Sequence, residues 1–148
     1  MAIARGAGTE IIRSAWFEDV AQTVQKLFVG EQHHIYTVLS IIFQCEARSG
    51  SENGMLRFNG YDALGGTTNQ VIKLCTTAVP AGETYVWNDK FSFNGFEPTD
   101  FTGPMDDVTK QNAIADQGSS VAQFLTFQTD SGSTQYDIHI TYIDQNNV

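Results

Sequence analysis

The chain has 148 residues, 41% hydrophobic and 17% charged, with 13 Gly, 10 Phe and only 3 Pro. That is the length of one domain, able to bury a core without metal or disulfide staples. Its low charge and many aromatics exclude a disordered chain and a coiled coil. Seventeen acidic against eight basic residues leave a formal charge of −9, which argues against binding nucleic acid or an anionic membrane surface.

In chain order the pattern is β. Residues 1–9 are small and Gly-rich and read as an extended arm. The opening MAIARGAGTE has an early Arg, but Gly, Thr and Glu interrupt it before an apolar core forms, so no signal peptide is expected and folding is expected in a cytoplasm. Glu10–Phe17 reads as a first strand or as part of the arm, giving an arm over 1–17 in the second case. Over 18–30, Val20, Val24, Leu27 and Phe28 fit helical spacing, but Thr23, Val24, Phe28 and Val29 favour a strand that Gly30 ends, and the strand is preferred.

Residues 33–46 carry the clearest signal. Strict alternation places Ile35, Leu39, Ile41, Phe43 and Cys45 on one face and Tyr36, Val38, Ser40, Ile42 and Gln44 on the other. Both faces are partly apolar, which predicts a central strand. A turn over 48–54 leads to a strand at Met55–Tyr61 with Arg57 and Asn59 facing out. A loop over 62–69 and a strand at Gln70–Thr77 follow, then a turn at 79–83 built on Pro80 and Gly82.

Tyr85–Phe93 is one bent strand or two short ones, and 94–120 is a long loop or insertion with room for a helical turn near Asp106–Ala115. A loop of that length is usually functional or partly folded. Val121–Thr129 and Gln135–Ile143 are expected to pair as a terminal hairpin, with Ile138, Ile140 and Tyr142 inward and Asp137, His139 and Thr141 outward. Seven or eight short strands with turns between them predict a single all-β domain over 1–148, an antiparallel β-sandwich, with the jelly roll as one candidate topology.

Chemistry is sparse. His33 and His34 are neighbours and point to opposite faces of a strand, and no histidine spacing suits a metal. Cys45 and Cys75 lie in apolar runs and read as buried thiols, with a cross-strand disulfide as the alternative. No nucleophile elbow or phosphate loop occurs. Asp89, Glu97, Asp100, Asp106 and Asp107 gather around the long loop without the spacing of a calcium loop, and read as a solvated acidic segment. No catalytic residue, metal or cofactor is therefore expected, and the chain is expected not to be an enzyme.

Aromatics carry more. Trp87, Phe91 and Phe93 belong to the core by pattern. Trp16 and Phe17 by the arm, and Phe96 and Phe101 in the long loop, lie in segments that need not be in the sandwich; aromatics there serve as interface anchors. Arg5 and Arg13 flank the arm in an acidic chain, placed to pair with a neighbouring subunit or to stay solvated. These six are the candidate interface residues.

The strand order, with Pro80-Ala81-Gly82-Glu83-Thr84 leading to Asp89-Lys90 and a closing Thr141-Tyr142-Ile143-Asp144, resembles the small β-sandwich virion proteins of tailed bacteriophages, especially phages of aquatic bacteria. The resemblance spans roughly 20–145, and the long loop departs from it. It implies a non-enzymatic virion protein, first a capsid decoration or cement protein docking on the major capsid protein and on copies of itself, with a trimer favoured. A neck, tail or baseplate component is the alternative. A carbohydrate-binding module using Trp16 and Trp87 is the alternative from another class.

Overall fold

The computed structural model describes residues 8–62, 67–97, 106–109 and 121–146. Among these residues nine strands run β1 (Thr9–Val20), β2 (Gln25–Val29), β3 (His34–Ala47), β4 (Gly54–Asp62), β5 (Thr67–Thr77), β6 (Thr84–Trp87), β7 (Phe91–Asn94), β8 (Phe124–Thr129) and β9 (Gln135–Asn146). They form two antiparallel sheets. Sheet A has the order β1-β9-β3-β6, with β7 also against β3, and sheet B has the order β2-β8-β4-β5. Successive strands switch between the sheets except at the β4–β5 hairpin and the β6–β7 pair, which together form one interrupted edge along β3. This all-β sandwich has the strand order of a jelly roll.

The inner faces meet in one core. Val38, Ile41, Phe43, Cys45, Ile138 and Ile140 from sheet A face Leu27, Leu56, Leu125 and Phe127 from sheet B, all 0–2% exposed. Tyr136 is fully buried with them, and its hydroxyl accepts from the Val79 N–H and the Thr77 hydroxyl, each at 3.4 Å. Trp87, Phe91 and Phe93 pack against this core. Both thiols are free, Cys45 buried and Cys75 half-buried, and burial raises the pKa of each above its ordinary value.

Strict alternation along β3 fails at one point. Tyr36 and Val38 are buried, but so are Ile41, Phe43 and Cys45, whereas Ile35 and Leu39 are only partly so. A β-bulge between Val38 and Ser40 in the pairing with β9 adds one residue and turns the strand over. The inward set is therefore even-numbered before Leu39 and odd-numbered after it.

The expected terminal hairpin is also corrected. β8 pairs with β2 and β4 in sheet B, whereas β9 pairs with β1 and β3 in sheet A. The link at 130–134 is an arch between the sheets. The Asp130 N–H donates to the Asn53 carbonyl at 3.0 Å, and the Thr134 hydroxyl donates to Glu52 at 2.5 Å, tying the arch to the β3–β4 turn. Turn residues of this kind suit an arch as well as a hairpin, so composition alone does not separate them.

Thr9–Val20 is the outer strand of sheet A, so Glu10–Phe17 is strand and not free arm; residues 1–7 of the arm lie outside the described residues. Residues 18–30 give the end of β1 and β2, with no helix. The 79–83 turn forms, with Gly82 at φ 84° and the Glu83 N–H on the Pro80 carbonyl at 3.1 Å. Of the 94–120 loop, Asn94 ends β7 and Phe96 bridges to Ala122; most of the remainder lies outside the described residues.

Candidate assembly surfaces

β1 sets the first surface. Its odd residues Ala15 and Phe17 pack against the core, so its even residues Ile12, Ser14 and Trp16 point outward. Registers across the sheet continue the outward set. Trp16 lies beside His139, then Ile42, then Val86; Ile12 lies beside Ile143, then Thr37, then Ser92. Ile12 is 70% exposed, Trp16 59% and Val86 44%. The middle of this face is thus apolar or neutral, with large side chains held on a rigid sheet, and the far edge of β1 has no strand partner among the described residues.

The expected interface residues separate. Trp16 is at the surface, while Phe17, its neighbour, turns inward. Arg13 is engaged within its own chain, Nε donating to Asp144 Oδ2 at 2.9 Å. Phe96 is half-buried at its bridge with Ala122. Arg5 and Phe101 lie outside the described residues. The Trp87 indole packs on the core and donates to the Asp89 carbonyl at 2.8 Å, which leaves Trp16 as the exposed indole of the two.

Asp144 is the centre of a buried polar cluster. It is 3% exposed, receives Arg13 from β1 and meets His34 Nδ1 from β3 at 2.5 Å. The outer strand is thereby tied to the two central ones. Around it Phe28 stacks on Tyr142 at 4.2 Å, and Tyr36 accepts the Glu31 N–H at 3.0 Å. Burial, more than any other cause, raises the pKa of both tyrosines above the ordinary phenol value.

A second cluster was not visible in the sequence. Asp19, Glu46 and Asp137, from three strands, place carboxylate oxygens within 4.8 Å of one another at one end of sheet A. A hydrogen bond to Asp19, then the charges of Asp19 and Asp137, raise the Glu46 pKa above its ordinary 4.5. Oxygen donors so placed suit a hard cation. A bulge brings one member into the grouping: between Phe17 and Val20 it turns Asp19 outward with φ 55°, whereas Glu46 and Asp137 face outward by plain alternation beside Cys45 and Ile138. No local sequence signal marks that bulge. The expected acidic segment differs: Glu97 is buried, Asp106 and Asp107 are exposed, and Asp100 lies outside the described residues.

No family model matches the chain, and no curated protein sequence matches it. Several solved structures do. A chain from the disulfide-linked pili of Bacillus endospore appendages aligns over 100% of this chain and 97% of its own, at 13% identity and a TM-score of 0.48. A chain from the T13 particle of infectious bursal disease virus aligns over 99% of this chain at 9% identity and a TM-score of 0.41. One from the Gx strain of that virus aligns over 93% at 9% identity and 0.32. This chain spans 37% and 38% of those two viral chains.

Proposed function

We propose that the chain is a non-enzymatic structural protein of a phage virion, a decoration or cement protein that docks on the head shell through the outer face of sheet A. The observation that carries the docking is the outer face of sheet A, where Ile12, Trp16 and Val86 are exposed from two neighbouring rows beside a strand edge that is open among the described residues. Large apolar side chains grouped on a surface mark interaction sites, and an uncovered edge strand is a template for pairing with another chain. What supports the phage setting is the resemblance of the 80–84, 89–90 and 141–144 segments to small phage virion proteins. A pre-folded sandwich suits a protein that adds to a shell already assembled, since no rearrangement is needed on docking.

The test has two parts. Quantitative mass spectrometry of purified virions gives the copy number against the major capsid protein. A ratio near one to one or one to three supports decoration. A dozen or fewer copies moves the protein to the neck, tail or baseplate, and none removes the virion reading. Co-sedimentation of Trp16→Ala and Ile12→Ser with bare shells tests the face itself. Each variant is expected to lower shell occupancy at least tenfold while remaining folded, and unchanged occupancy would show that another face docks. Trp16 fluorescence that responds to oligosaccharides would instead favour a sugar-binding module.

A further inference from the structure

Charge is divided between the two sheets. The strands of sheet A carry six carboxylates (Glu10, Glu18, Asp19, Glu46, Asp137, Asp144) and one cation, Arg13. The strands of sheet B carry three cations (Lys26, Arg57, Lys73) and one carboxylate, Asp62, at the end of β4. Those three are drawn from only eight basic residues in a chain of net charge −9.

The three cations are in register. Lys26 pairs with Thr126, Thr126 with Arg57, and Arg57 with Lys73, so one line crosses all four strands. At about 4.8 Å per strand the line is roughly 14 Å long. None of the three makes an ion pair among the described residues. Lys26 Nζ lies 4.7 Å above the Phe124 ring, and an Arg57 nitrogen meets Met55 Sδ at 3.3 Å, contacts that hold the side chains without neutralising them. The next register line is Val29, Phe124, Asn59 and Val71, with Val29 45% and Val71 54% exposed. An apolar line therefore runs beside a cationic one. Interfaces pair such lines with surfaces of opposite charge.

We infer that the outer face of sheet B is a docking surface for a second copy of this chain, and that Lys26, Arg57 and Lys73 meet the acidic end of that copy's sheet A at Glu18, Asp19, Glu46 and Asp137. Charge complementarity within the one chain is the argument. The acidic end repels itself, since three carboxylates crowd within 4.8 Å there and raise the Glu46 pKa, and the cationic line makes no ion pair among the described residues. Cations supplied by a neighbour relieve the first and neutralise the second. The two surfaces lie on opposite sides of the sandwich, so the contact is heterologous, building a ring if it closes and a filament if it does not. The self-association reads out on free protein, whereas the docking proposed above reads out on shells, so either can fail alone.

The experiment is sedimentation velocity of the intact chain over a range of concentration and salt. Association is expected at low salt, weakening at least tenfold between about 0.05 and 0.5 M NaCl as the screening length contracts. The triple change Lys26→Glu, Arg57→Glu, Lys73→Glu is expected to abolish it, as is Glu18→Lys with Glu46→Lys. An equimolar mixture of the two charge-reversed proteins is expected to associate with each other. The neutral set Lys26→Met, Arg57→Met, Lys73→Met, checked by near-ultraviolet circular dichroism, covers the case in which reversal impairs folding, and it too must weaken association. A wild-type chain that stays monomeric across the range overturns the inference. So does wild-type association in either folded variant.

Discussion

Gly54 and Phe127 make a sharp test of how the sandwich is packed. A Cβ built on Gly54 lies 2.4 Å from Phe127 Cζ and 3.1 Å from the Thr77 hydroxyl oxygen. Non-bonded carbons settle at about 3.5–4 Å, so the ring or the strand must move by an ångström or more. The strand is held on both sides, since Gly54 pairs with Thr77 and with Thr129. The ring is held too, between Phe43 at 5.2 Å and Tyr136 at 5.3 Å. Gly54→Ala is therefore expected to cost about 1–3 kcal/mol by overpacking. Phe127→Ala, at a fully buried position, is expected to cost about 3–5 kcal/mol. In the double variant the new methyl enters space the ring has left, so the first cost vanishes and the cavity shrinks. The pair should then fall short of the sum of the singles by about 2 kcal/mol. Guanidinium unfolding of the four proteins with a common slope measures this directly. Additivity within about 0.5 kcal/mol would refute the packing argument, because residues not in contact behave that way.

Gly95→Ala is expected to loosen the far end of the molecule, because its Cβ would overlap the Glu31 carbonyl and part the hydrogen bonds of Gly95 with His34 and Gln123, each 2.8 Å. Faster amide exchange at Gly95 and Gln123 checks it. Glu46 has a folded-state pKa raised above its ordinary value, so the folded state holds that proton more tightly than the unfolded one and stability falls as pH rises through the range above 4.5. Glu46→Gln is expected to flatten that fall, seen as a smaller difference in melting temperature between pH 5 and pH 7 than in wild type. Asp144→Leu removes the buried partner of Arg13 and His34 and is expected to cost about 2 kcal/mol, with β1 amides exchanging first.

Much of this fold was legible along single strands and little of it between them. Alternation in 135–143 placed Ile138 and Ile140 inward correctly, because no bulge interrupts β9 there. The same rule misplaced Ile35 and Leu39, because one extra residue at the β3 bulge inverts every side chain before it. Trp16 and Phe17 were read as a pair, yet adjacent strand residues must part, and only Trp16 reaches solvent. The Asp19, Glu46 and Asp137 group, and the line through Lys26, Arg57 and Lys73, join residues far apart in sequence. Both depend on register, which long-range pairing sets.

The position of β9 also bears on synthesis. It is the last strand in chain order, yet it sits between β1 and β3 at the middle of sheet A. A ribosome adding about 5–20 residues per second takes on the order of 6–23 s to travel from Val20 to Gln135. Throughout that interval β1, with Ile11, Ile12, Trp16 and Phe17, has no strand to pair with. The nascent chain thus displays a sticky ribbon early and covers it late, which makes chaperone capacity in the producing cell a determinant of yield.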